Sequence, residues 1–180
     1  MLYTIRKIKQ SEYALLDEFL YEAIFIPEGV EPPPKSIIQK NDLQVYIKDF
    51  GSLPDDQCLV AEVNGSVVGA VWVRIMNDYG SIDSETPSFA ISLYKDYRGF
   101  GIGTELMKQM LARLKKCGYK QASLAVQKAN YAVRMYLHVG FEIIDETAEE
   151  YIMLCNLNPD AKHIPDTDLR HPKSAAPQIP

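Results

Sequence analysis

Residues 91–114 read ISLYKDYRGFGIGTELMKQMLARL, and this stretch organises the rest of the chain. It opens as a strand, turns through Gly99, Gly101 and Gly103, and continues as a helix with Leu106, Met107, Met110, Leu111, Leu114 and Cys117 on one face. Glycines at alternate positions let backbone N–H groups approach a ligand with no Cβ in the way. The helix that follows turns its positive dipole end and its unpaired first N–H groups into the same space. Together these make an anion cradle, most often for phosphate. A glycine-rich strand–helix turn can also be a plain tight corner. Two familiar cradles are excluded. A P-loop needs Gly-Lys-Ser/Thr, whereas Gly103 is followed by Thr104 and Glu105. The dinucleotide fingerprint needs G-x-G-x-x-G and an acid at the end of the next strand, whereas this turn reads G-x-G-x-G and that strand ends at Gln127 and Lys128.

Upstream, residues 2–9 alternate and are rich in β-formers, which predicts a first strand. Ser11 is placed as the N-cap of a helix carrying Leu15, Leu16, Phe19, Leu20 and Ala23, ending before Pro27. Residues 26–35, IPEGVEPPPK, forbid regular structure and serve as a stiff connector or as one wall of a substrate groove. Asn41 and Gln44 resemble a capping box for a second helix with Leu43, Tyr46, Ile47 and Phe50 on its face and Gly51 at its end. Asn64-Gly65 predicts a hairpin between CLVAEV and SVVGAVWVRI, and Gly69 marks a bulge or a close approach. Residues 76–87 form a loop, residues 88–94 the strand entering the glycine turn, and residues 121–127 a short strand. Asn130 is placed to cap a helix through Leu137 that Gly140 ends, and residues 141–145 and 151–157 are two last strands. The order is β-α-α-β-β-β-α-β-α-β-β, an α/β or α+β mixed sheet. Residues 1–157 form one domain, and residues 158–180 a proline-rich tail without hydrophobic periodicity, disordered or laid along the surface.

Composition narrows the function. The net charge of −5 comes with no basic stripe, which argues against nucleic acid. Cys58, Cys117 and Cys155 are scattered, without C-x-x-C or a Cys/His cluster, so neither disulfides nor a metal site is expected, and buried or semi-buried thiols in a reducing cytoplasm are. The first residues lack a signal-peptide core, and no apolar run is long enough for a membrane span.

A second constellation follows the short strand: Asn130-Tyr131-Ala132-Val133-Arg134-Met135-Tyr136-Leu137-His138-Val139-Gly140-Phe141. Asn130 and Tyr136 lie about 600° apart on a helix, on neighbouring faces. Taken singly, Tyr136 also suits a core tyrosine and Asn130 a plain cap. Together with Arg98-Gly99-Phe100-Gly101-Ile102-Gly103, which matches Arg/Gln-x-x-Gly-x-Gly/Ala, this run resembles the GNAT superfamily of N-acyltransferases from residue 58 to residue 157. Lys95 stands where that superfamily often has proline.

The resemblance implies a mixed, mostly antiparallel sheet of six to seven strands flanked by about four helices. It implies acetyl-CoA as cosubstrate, with the pyrophosphate on the N–H groups of Gly99, Phe100, Gly101, Ile102, Gly103 and Thr104. Arg98 would stand near the phosphates or brace the loop. The pantetheine arm would lie along Ile91, Ser92, Leu93 and Tyr94, and Asn130 would bond its end. A backbone N–H near Leu93 would face the developing oxyanion and Tyr136 the leaving thiolate, in direct attack by a primary amine. Asp78, Asp83 and Glu85 border the site as candidate bases or as a solvated loop. The superfamily often dimerises, so a homodimer is admitted, and the acceptor, a small or peptide amine, stays open. From a different class, the same features would serve a non-catalytic acyl-CoA sensor.

Overall fold

The computed structural model describes residues 1–158, so the expected tail lies outside the described residues except for Asn158. Among the described residues seven strands and four helices follow one another in the expected order. They are β1 (Thr4–Lys7), α1 (Leu15–Ala23), α2 (Asn41–Gln44), β2 (Gln57–Val63), β3 (Ser66–Arg74), β4 (Ser88–Leu93), α3 (Ile102–Lys116), β5 (Gln121–Gln127), α4 (Ala132–His138), β6 (Glu142–Glu146) and β7 (Glu150–Asn156). The strands form a single open sheet in the order β1-β2-β3-β4-β5-β7-β6, antiparallel everywhere except between β4 and β5. The mixed, mostly antiparallel architecture expected from the resemblance is therefore present.

The sheet is covered on both faces, which explains why β2 and β3 read as continuous apolar runs. Leu59, Ala61, Val71 and Val73 face α3 and α4, in one core with Leu106, Met107, Met110 and Leu114. Cys58, Val60, Ala70 and Trp72 face α1, in a second core with Leu16, Phe19, Leu20 and Ile47. The Asn64-Gly65 turn has positive φ at both residues, 50° and 82°, as a two-residue hairpin of the tightest kind requires. Gly69 is a close approach: a Cβ there would lie 2.6 Å from Leu93 Cγ and 3.0 Å from the Ser92 carbonyl oxygen. The bulge lies beside it, where Ala61 pairs with Gly69 but Glu62 with Val67.

The one parallel junction positions the functional region. β4 and β5 pair only at Ser88 and Ser123, reinforced by the Ser123 N–H donating to the Pro87 carbonyl at 3.0 Å. Beyond that point the two strands diverge. β5 continues in register with β7 over its whole length, from Gln121–Asn156 to Gln127–Glu150.

Four local expectations change. A short 3₁₀ segment, Gln10–Glu12, precedes α1, and the Glu12 carboxylate rather than Ser11 accepts the Lys9 N–H at 2.8 Å. Asn41 is the first residue inside α2, not its cap, and Gln44 donates to the Ile38 carbonyl instead of closing a capping box. The helix is also shorter than expected, because Arg74 draws the chain off the helical path. Its Nη1 donates to the Val45 and Lys48 carbonyls at 3.0 and 2.9 Å, while Nε and Nη2 grip both oxygens of Asp56 at 2.8 Å. Residues 45–50 are left as turns. Finally, Cys58 and Cys155 are buried but Cys117 is exposed, because α3 ends at Lys116 and Cys117 falls beyond its apolar face.

The Arg74–Asp56 pair has side-chain exposures of 4% and 0%, and removing one partner strands the other charge in the interior. Asp56→Ala is expected to cost about 3–5 kcal/mol in urea unfolding. Asp56→Ala combined with Arg74→Met is expected to cost less than Asp56→Ala alone.

Candidate active site

The glycine turn has the geometry of an anion cradle. Gly99 and Gly101 have φ of 84° and 81°, and the direction a Cβ would take from either is open space. Gly101 is the backbone cap of α3 and has no side chain to cover the helix end. Gly103 serves packing: a Cβ there would sit 3.3 Å from Leu93 Cδ1 and 3.4 Å from Met135 Sδ, so its absence seats α3 between β4 and α4. Ile102 is buried in the core, whereas Phe100 is exposed.

Of the two placements open to Arg98, the side chain takes the bracing one. Its Nε donates to the Leu93 carbonyl at 2.9 Å, and Nη2 is 2.8 Å from the Glu22 carboxylate of α1. The loop's N–H groups, rather than this guanidinium, are what remains open to an anion.

β4 presents its residues alternately. Ile91 and Leu93 pack toward α3, while the Ser92 hydroxyl donates to the Phe19 carbonyl at 2.7 Å and Tyr94 stacks on Phe19. The Tyr94 N–H donates to the Val68 carbonyl of β3 at 3.0 Å. Backbone alternation then turns the Leu93 N–H to the opposite edge, the one that diverges from β5.

That divergence opens a cleft of about 230 Å³. One wall comes from α1 and the segments around α2, with Leu20, Ile24, Ile37, Leu43 and Tyr46. The other comes from β5, β7, the stretch just ahead of α4 and the last turn of that helix, with Ala125, Gln127, Glu150, Asn130 and Tyr136. Phe89, Ala90 and Ile91 of β4 line its floor. The structure thus brings Ile91, Asn130 and Tyr136 together, with the Leu93 N–H edge beside them, whereas residues 99–104 lie outside this cleft.

The positions of Asn130 and Tyr136 follow from how α4 begins and ends. Asn130 Oδ1 accepts the Ala132 N–H at 2.9 Å, so its carbonyl caps the helix and its amide stays available to the cleft. At the other end Gly140 takes φ of 105°. The Gly140 N–H bonds to Leu137 and the Phe141 N–H to Tyr136. This is the two-bond αL stop of a helix, and it carries its usual apolar contact, the Phe141 ring edge-on to Tyr136 at 6.1 Å. The Gly-Phe dipeptide therefore fixes the phenol from behind. Burial pushes the Tyr136 hydroxyl well above its ordinary pKa, with Tyr131 adding a smaller push, so it stays protonated at neutral pH.

The three candidate bases separate. Asp83 and Glu85 are exposed, and Asp83 accepts the Glu85 N–H and the Gln121 amide. Asp78 is buried behind the wall, where the Tyr46 and Ser88 hydroxyls donate to it at 2.8 and 2.7 Å. Burial raises its pKa, and these donors oppose that. The carboxylates that do line the cleft, Asp42 and Glu150, are not among the sequence candidates. Glu150 reaches it only through the β5–β7 register, which no local signal carries. Among the described residues no group of three or more metal-ligating side chains assembles, and no helix is long and apolar enough to cross a membrane.

Compared with known proteins, residues 18–141 match the acetyltransferase (GNAT) family. The chain belongs to that family. As a GNAT acetyltransferase, it is an acyltransferase enzyme. It is 28% identical over 137 residues to an uncharacterized N-acetyltransferase of Archaeoglobus fulgidus, covering 72% of this chain and 88% of the relative. The fold is similar to that of the PaiA N-acetyltransferase of Thermoplasma acidophilum, solved with coenzyme A (TM-score 0.64, 21% identity, 87% of this chain and 99% of that one). It is also similar to a putative acetyltransferase of Salmonella typhimurium solved with acetyl-CoA (TM-score 0.63, 20% identity, 92% and 98%).

In this GNAT acetyltransferase the cleft also depends on Gly80. A Cβ there would lie 2.7 Å from the Ala125 nitrogen and 2.8 Å from the Leu124 carbonyl carbon, both backbone atoms that cannot swing aside. Gly80→Ala is expected to lower stability by about 1–3 kcal/mol in thermal unfolding, with larger losses in the 76–87 loop than in α3 by hydrogen exchange.

Proposed function

We propose that the protein transfers the acetyl group of acetyl-CoA to a primary amine by direct attack within a ternary complex. The observation that carries this reading is the convergence on one cleft of a neutral, buried phenol, an available amide and the diverging edge of β4. The family membership and the ligands of the two solved relatives support acetyl-CoA as the partner of that cleft.

The residues present suit this cosubstrate, which brings an activated thioester. N–H groups at residues 99–104 and the dipole of α3 favour a pyrophosphate, and the missing Cβ atoms leave it room. The β4 edge, unpaired beyond Ser88, offers peptide groups to an extended amide-bearing arm, as in strand addition. Asn130 offers its amide to the same arm. The Leu93 N–H is held rigid by the Arg98 bond to its own carbonyl, and a fixed donor is what a developing oxyanion needs. Tyr136 donates its proton to the departing sulfur, which a phenol can do because it is protonated at neutral pH.

Isothermal titration with acetyl-CoA tests the reading first. Binding is expected, and Gly101→Val is expected to abolish it by filling the cradle at a left-handed position. Tyr136→Phe is expected to retain binding and to lower thiol release about 10²-fold. Absence of acetyl-CoA binding in the wild type overturns the proposal. Unchanged turnover in Tyr136→Phe removes Tyr136 from it.

A further inference from the structure

Glu150 is held in an unusual way for a surface acid. Its backbone is fixed on both sides: its N–H donates to Thr147 Oγ1 at 3.0 Å, its carbonyl accepts the Thr147 N–H at 2.9 Å, and it pairs with Gln127 across the sheet. The side chain is half-buried in the cleft wall. Among the described residues no hydrogen bond or ion pair engages its carboxylate. Lys128, which follows the paired Gln127, is taken by Glu146 at 2.9 Å and lies over the Tyr151 ring at 5.0 Å. Removing a carboxylate from water without a partner costs free energy, and such a site accepts a cation readily.

The other ionisable groups facing the cleft have different roles. Asp42 accepts the Tyr79 hydroxyl at 3.4 Å, and Lys40 on the same lip carries a compensating positive charge. Tyr46 is turned away, donating to Asp78. Tyr136 is neutral, and Glu149 is exposed on the strand turn beside Glu150. Among the described residues, Glu150 is thus the carboxylate of the cleft without a hydrogen-bond or ion-pair partner. The wall leading to it from α1 and α2 is aliphatic: Leu20, Ile24, Ile37 and Leu43.

Resting on the acetyl-transfer reading above, we propose that Glu150 receives the acceptor's ammonium group and takes its proton, and that the acceptor is a primary alkylammonium compound whose carbon body lies along this aliphatic wall. The ammonium gives one proton to the Glu150 carboxylate, which later passes it to water at the cleft mouth. The freed nitrogen lone pair attacks the thioester carbonyl, forming the C–N bond. The C–S bond breaks as its electron pair goes to sulfur, which takes the Tyr136 proton. The second proton leaving nitrogen restores the Tyr136 phenol. The products are the acetamide, the free thiol and one released proton. Burial raises the Glu150 pKa above its ordinary value, with Glu149 adding to it, which brings the base closer to neutral pH.

The test uses n-butylamine as acceptor probe with the full-length enzyme, measuring acetyl-CoA binding by titration and thiol release from pH 5 to pH 10. Wild type is expected to be active on n-butylamine, with kcat/KM rising at acid pH and flat across neutrality. Glu150→Gln is expected to bind acetyl-CoA as wild type does and to lose about 10²-fold in kcat/KM at neutral pH. Its rate is then expected to climb about tenfold per pH unit toward the alkylamine pKa, as free amine accumulates. Glu150→Asp is expected to recover part of the neutral-pH rate. Wild type that binds acetyl-CoA but releases no thiol with n-butylamine overturns the acceptor class. Glu150→Gln with the rate and pH profile of wild type overturns the role of Glu150. Failure of wild type to bind acetyl-CoA is a separate result, and it removes the underlying reading instead.

Discussion

The pairing of β4 with β5 at the single position Ser88–Ser123 is the constraint on which the rest depends. Two parallel strands that continued in register would satisfy each other's peptide groups and leave no space between them. Stopping after one pair leaves an edge of β4 that needs hydrogen-bond partners, facing a cleft. The apex of this fork is fixed by a chain of buried bonds. The Ser88 and Tyr46 hydroxyls both donate to Asp78, and the Trp72 indole N–H donates to the Tyr46 carbonyl. The depth of the cleft is therefore set by side chains of the loop before β4, of β3 and of the α2 region together.

Around the fork, helix ends do the positioning. α3 begins at a glycine with left-handed φ and directs open N–H groups outward, while Gly103 lets it lie close to β4. α4 begins under the Asn130 cap and stops at Gly140-Phe141, which wedges the Tyr136 ring. At each of these ends one or two residues both start or stop a helix and set the direction of the groups beside it, so substituting them disturbs the helix and its surroundings together.

Much of this was legible in the sequence because its causes are local. A two-residue Asn-Gly turn, the glycine that ends α4 and three glycines between strand and helix each state their geometry within a few residues. What escaped were features with distant causes. The α2 region reads as a longer helix until Arg74, from another strand, takes its carbonyls. Arg98 reads equally well as a phosphate ligand or a brace until Glu22 is seen beside it. Glu150 has no signature at all, since it faces the cleft only because β7 inserts between β5 and β6. Asp78 reads as a candidate base or as part of a solvated loop until the Tyr46 and Ser88 hydroxyls are seen beside it, and these give it a structural task.

The Arg98 brace ties together two regions that are far apart along the chain. One arm of the guanidinium holds the carbonyl of Leu93, the last residue of β4, and the other holds Glu22 at the end of α1 that also forms the wall opposite Glu150. A ligand that tightens the turn and a ligand that presses on α1 thus act on one shared lever. Linkage requires any coupling through it to be mutual: whatever factor the first ligand adds to the affinity of the second, the second returns to the first. The strength of any such coupling then rests on one partly exposed ion pair, open to adjustment by salt in a way that the buried bonds of the fork are not.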